Sequence, residues 1–133
     1  MNIKTNSNMI TEDYVSFETA KLLKEKGFDE GCRAHYGSAG SFSYEKYEVE
    51  ASGCEMHNAI LAPTIQMAMK WLREKKGIAV IPVLSSVLDK EKFLWKVEIV
   101  VAKHNDVYSQ GWVYENQEGA CEAAIKYCLE NLI

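Results

Sequence analysis

Apolar positions recur along this chain in two rhythms, one of three to four residues and one of two. The first rhythm opens at Phe17, Ala20 and Leu23, with Leu22 widening the stripe, and predicts a helix. Ser16 is suited to cap it, because its hydroxyl can accept from a free amide of the first turn. Lys24, Glu25 and Lys26 close it, and Gly27 can take the left-handed conformation that ends helices. Phe28 then folds back on the last turn. Residues 32–50 predict an irregular hairpin. Cys32–Tyr36 is extended, and Gly37, Ser38, Ala39, Gly40 and Ser41 form a loop of small residues. Phe42 and Tyr44 alternate with serines, while Tyr47 and Val49 continue one position out of phase, which predicts a bulge or break. Residues 51–58 show no period.

A second helix follows Pro63, which suits a first turn. Ile65, Ala68, Met69 and Leu72 lie on one side, with Met67 and Trp71 beside them, and Gly77 stops it. Three strands come next. Residues 78–84 are apolar, but Pro82 lacks an N–H and places the strand at an edge or a bulge. Phe93, Trp95, Val97, Ile99 and Val101 alternate with Leu94, Lys96, Glu98, Val100 and Ala102, the pattern of a half-buried antiparallel strand. Lys103, His104, Asn105 and Asp106 make the turn, with Asn105 and Asp106 tolerant of positive φ. Residues 107–114 return, and Gly111 predicts a bulge or a close backbone approach. Asn116 caps a last helix whose apolar stripe is Cys121, Ile125, Cys128, Leu129 and Leu132. Ala120, Ala123 and Ala124 allow it to pack closely on a sheet. The expected fold is α+β, in the order α-β-β-α-β-β-β-α, with one antiparallel sheet and helices mainly on one face. Residues 1–10 are expected to be a flexible tail, and residues 11–133 a single domain.

Composition adds bounds. The chain has 133 residues, 47% of them hydrophobic and 26% charged, which fits one ordinary globular core. The net charge of −4 argues against a generally basic nucleic-acid binder. Charge is uneven, however. Residues 66–103 carry eight basic and four acidic side chains, whereas each flank is net negative by four. Such asymmetry can mark a binding face, though mutual neutralisation in the fold is the preferred reading. No secretory signal and no apolar run of about 20 residues is present. A cytoplasmic protein is therefore expected, with no membrane partner and with Cys32, Cys54, Cys121 and Cys128 as reduced thiols.

Candidate chemistry is sparse. No glycine-rich phosphate motif, serine-nucleophile motif or zinc-protease motif occurs, and no cofactor is expected. Two Cys-x-x-His units, Cys32 with His35 and Cys54 with His57, contain the ligand types of a tetrahedral zinc site. On a strand, positions i and i+3 point to opposite faces, so Cys32 and His35 need a turn between them to converge. The same residues could form a thiol–imidazole nucleophile, which also needs an orienting group. For Cys121 and Cys128 core packing is preferred. Trp95, Tyr108, Trp112 and Tyr114 are a base-stacking platform if exposed and a packing layer if buried, and burial is preferred. Glu115, Glu118 and Glu122 flank the last helix's start and complement its positive end. Lys70, Arg73, Lys75, Lys76, Lys90 and Lys92 are the candidate nucleic-acid contacts.

The α-β-β-β-α order from Pro63 to Leu132 resembles the double-stranded-RNA-binding domain in topology. That family grips phosphates with lysines at the start of its last helix. Here Glu118 and Glu122 stand in that region and no lysine does, so the role does not carry over. The phrases Val15 to Phe28, Ala62 to Glu74 and Glu118 to Leu129 resemble small uncharacterised proteins of gut Bacteroidales genomes and their prophages or mobile elements. That resemblance implies a bacterial protein of phage-like context and no particular activity. The leading expectation is a non-enzymatic interaction protein whose partner is a host factor or a second copy of itself. A nucleic-acid-binding module and a small zinc-binding domain are the alternatives.

Overall fold

The structure is a computed structural model and describes residues 10–109 and 111–133. Residues 1–9 of the expected tail lie outside the described residues, and Ile10 is fully exposed. Helix α1 spans Phe17–Glu25. Its cap forms as the sequence requires, with Ser16 Oγ accepting from Thr19 N at 3.2 Å. Gly27 takes φ +97, and Phe28 N donates back to Leu23 O at 2.9 Å.

Strands β1 (Cys32–Tyr36) and β2 (Phe42–Val49) pair antiparallel around the small-residue loop. Their register shifts where two steps on β1, Cys32 to Ala34, face five on β2, Val49 to Tyr44, so the extra residues lie on β2 around Tyr47, where the phase slip predicts a bulge or break. The stretch without a period contains a short helix, α2, at Ala51–Met56. Six residues are too few to display a 3.6-residue repeat. Asn58 turns the chain at φ 54, and β3 (Ile60–Leu61) then joins the other edge of β1.

Helix α3 spans Ile65–Lys76. Its cap is Thr64, whose Oγ1 accepts from Met67 N at 3.1 Å. Pro63 therefore precedes the helix instead of filling its first turn, and its carbonyl accepts from Val15 N at 3.0 Å. Gly77 ends α3 in the left-handed region at φ 65.

Strands β4 (Ile78–Asp89), β5 (Lys92–Val101) and β6 (Asp106–Ser109) form an antiparallel meander in that order. Asn105 supplies the positive φ, 52°, at the β5–β6 turn. As Pro82 requires, β4 is an edge strand. The third strand is shorter than expected and ends at Ser109. The chain rejoins β5 at Tyr114, whose N–H and carbonyl each bond Trp95 at 2.8 Å. Three steps on β5, Glu98 to Trp95, thus face five on the returning chain, Ser109 to Tyr114, the irregularity that Gly111 predicts, while no described atom stands near the place a Cβ would occupy there. Helix α4 (Gln117–Asn131) begins at Asn116, whose Oδ1 accepts from Gly119 N at 2.5 Å.

The class is thus α+β with antiparallel pairing, and the element order holds once α2 and β3 are added. The strands divide into two three-stranded sheets, β2-β1-β3 and β4-β5-β6, where one was expected. The division falls at α3, which separates β3 from β4. One buried cluster nevertheless joins both sheets to α1, α3 and α4, through residues such as Leu23, Leu61, Leu72, Val80, Ile99 and Ile125.

Candidate functional site

The two Cys-x-x-His units do not assemble a metal centre. Cys32 and Ala34 are buried on one face of β1, while the exposed Arg33 and the part-buried His35 belong to the other, the alternation a strand imposes. His35 Nε2 lies 2.9 Å from Glu45 Oε2 on β2. Cys54 is buried in α2, and His57 is exposed at that helix's end. Among the described residues, no group of three or more His, Cys, Asp or Glu side chains is placed to hold a metal ion.

The thiols are also poor nucleophiles. Burial, with the nearby Cys54 thiol and the carboxylates of Glu48 and Glu30, pushes Cys32 up to about 12. Burial raises Cys54 as well, against the lowering effect of Lys24. It takes Cys121 to about 11 and Cys128 to about 12. The thiolate is the reactive form, so these positions lack the electropositive, accessible setting of a catalytic cysteine.

The six candidate basic residues divide into two groups. Lys70, Arg73, Lys75 and Lys76 are exposed on α3, which runs into the Ile78 end of β4. Lys70 pairs with Glu74 at 3.9 Å, and Lys76 Nζ sits 5.4 Å from the centre of the buried Trp71 ring. Lys90 and Lys92 lie at the opposite end of the β4–β5 hairpin. Eleven strand steps of about 3.3 Å separate the two ends, about 36 Å in all.

One face of β5 shows where the core stops. Its alternate residues Ile99, Val97, Trp95 and Phe93 point the same way. Ile99 is 1% exposed and Val97 9%, beside Ala120 and Ala124 of α4. Trp95 is half-buried, and Phe93 is 45% exposed. Register places Leu84 opposite Trp95 and Val87 opposite Phe93 on this face, and both are exposed. The hairpin therefore continues beyond its helical cover as an arm with an apolar shelf. Trp112 also stands exposed, in the segment that rejoins β5. Burial of the four aromatics thus holds in part: Trp95, Tyr108 and Tyr114 pack against the core and Trp112 does not. Alternation alone predicts the two faces of a strand but not how far along it a helix reaches.

Glu122 works within the fold. From α4 its carboxylate accepts from Ser16 N at 2.7 Å and from the hydroxyl of the fully buried Thr19. It thereby supplies an acceptor to the start of α1 from another helix, a role that acidic spacing around Asn116 alone does not reveal. Nearby, Lys126 of α4 meets Glu18 at 2.9 Å on the surface.

No described helix is long and apolar enough to cross a membrane. No protein-family model, no curated protein and no solved structure matches this chain.

Proposed function

We propose that this is a non-enzymatic interaction protein whose working surface is the β4–β5 arm, and that the arm pairs with that of a second copy. The observation that carries the reading is the rise in exposure along one face of β5, from Ile99 at 1% to Phe93 at 45%. An apolar face that runs on past its own helix is unfavourable in water unless something covers it. The shelf of Leu84, Val87, Phe93 and Trp95 carries no charge, so two copies facing each other bring no like charges together there. At the tip, the exposed neighbours Glu91 and Lys92 alternate in sign. A two-fold axis sets a surface against its own image, and alternating signs can pair across it. The buried, raised thiols support the non-enzymatic part of the reading. The phrases that resemble proteins of Bacteroidales mobile elements support a bacterial, phage-like origin and a cytoplasmic setting.

Sedimentation over a range of concentrations tests the proposal. A concentration-dependent dimer is expected. The double variant V87K/F93K should be folded and monomeric, with a melting temperature that no longer depends on concentration, since both side chains are exposed. A wild-type chain that stays monomeric at the highest concentration reached, or a double variant that dimerises equally well, refutes it. If the monomer instead captures a different protein through Phe93, self-pairing is refuted and the arm has another partner.

A further inference from the structure

A groove of about 310 Å³ lies between the start of α3 and the β1–β2 hairpin. Two aromatic rings form part of it. Tyr14 and Tyr44 meet edge to face, with ring centres 6.1 Å apart and planes at 75°. Pro63 and Met67 add apolar surface. Three charged side chains also line it: Glu12, Glu48 and Arg33. Arg33 is held in place, because its Nε donates to Glu45 O at 3.2 Å and its guanidinium carbon lies 4.8 Å from the Tyr44 ring centre. Among the described residues none of these three charges makes an ion pair. Opposite charges that share a groove without pairing leave it complementary to a ligand carrying the reverse set.

We infer that this groove binds a free amino acid with a cationic side chain, of the lysine, ornithine or arginine type. The ligand's α-carboxylate meets the Arg33 guanidinium, which suits carboxylate geometry better than a point charge does. Its two cationic groups answer Glu12 and Glu48. The groove's net charge of one negative is then neutralised, since the ligand carries one negative and two positive groups. The methylene chain lies on the tyrosine rings and Met67, as such chains do on apolar surfaces. The volume is near the lower end of the range for small-molecule sites, as fits a single amino acid. The site lies on the β2-β1-β3 side and is independent of the arm on the other sheet.

Titration of the full chain with L-lysine, followed by calorimetry or amide NMR shifts, tests the inference. Norleucine, which lacks the side-chain ammonium, and cadaverine, which lacks the carboxylate, are the comparison probes. Saturable lysine binding is expected, weakened about tenfold or more for either comparison compound, the scale of one charge-assisted contact. Arg33→Ala should weaken lysine about as much while leaving cadaverine unchanged. Glu48→Gln should bring lysine down towards norleucine. Both side chains are exposed, and a melting curve shows that each variant remains folded. Absence of saturation with lysine, ornithine and arginine overturns the proposal. So does cadaverine binding as tightly as lysine in the wild-type chain, whatever the variants do.

Discussion

Replacing Glu122 with alanine should destabilise the fold far more than its partly exposed position suggests. The carboxylate accepts two hydrogen bonds from the start of α1, one from Ser16 N at 2.7 Å and one from the Thr19 hydroxyl. Hydrogen bonds to a charged group contribute about 1.5–3 kcal/mol each when shielded from water. The Ser16 amide is near solvent and belongs at or below the low end. Thr19 is wholly buried, so water cannot replace its lost partner, although Ser16 Oγ remains 3.1 Å away. Together these give a loss of about 2–3 kcal/mol. Unfolding entropy of about 2.1 cal/mol/K per residue then implies a fall in melting temperature of roughly 7–11 °C for a chain this long. Thermal and urea unfolding followed by circular dichroism would measure it. Glu18→Gln is the control, because the Glu18–Lys126 pair, 2.9 Å apart, also joins α1 to α4 but lies on the surface. It should leave the melting temperature within error. Thr19→Val completes a double-mutant cycle with Glu122→Ala, and the two effects should fall short of additivity by about 1 kcal/mol or more. An Glu122→Ala loss below about 0.5 kcal/mol, the size of an ordinary surface change, or strict additivity in the cycle, would show that this contact does not hold α1 to α4.

The thiols and Gly40 give two further expectations. With Cys32 and Cys128 near 12 and Cys121 near 11, against an ordinary value of 9.0, alkylation at mild alkaline pH should be slow in the folded protein and fast in denaturant. The folded state holds these protons more tightly than the unfolded one. The thiols' contribution to stability should therefore be constant below about pH 9 and be lost as pH rises towards 12; urea midpoints that stay level between about pH 9 and 12 would contradict the burial argument. Gly40→Ala should lower stability by at least about 1 kcal/mol, because Gly40 has φ +93 and a Cβ there would stand 3.1 Å from the Phe17 ring. Urea unfolding reads it, and a midpoint equal to wild type would disprove the steric account.

Local chemistry made much of the fold legible. Ser16, Asn116, Gly27, Gly77 and Asn105 each do at a boundary what their side chains or missing side chains allow. Such features depend on a few neighbouring residues, so the sequence displays them directly. Pro82 likewise announced an edge. The two-sheet division, by contrast, depends on how β1 and β5 lie in space, and no short pattern encodes that. Helix α2 is too brief to show a rhythm, and β3 is two residues long. The candidate sites were less legible still. Spacing brought Cys32 near His35 in sequence, but strand alternation turned them apart. The groove around Arg33 draws on Glu12, Tyr44, Glu48 and Met67, from three further stretches of chain. The apolar arm was hidden because alternation looks the same whether or not a helix lies above it.

The backbone of β4 also limits what kind of assembly its arm permits. Pro82 has no N–H to offer, and the register with β5 shifts between Leu84 and Ser86 and again between Val87 and Asp89. An incoming strand would meet interruptions every few residues, so the edge is a poor template for adding strands one after another. Contacts through the arm must therefore come from its side chains. A surface that is adhesive on its face and blunt along its edge favours closed, finite complexes over open-ended fibres.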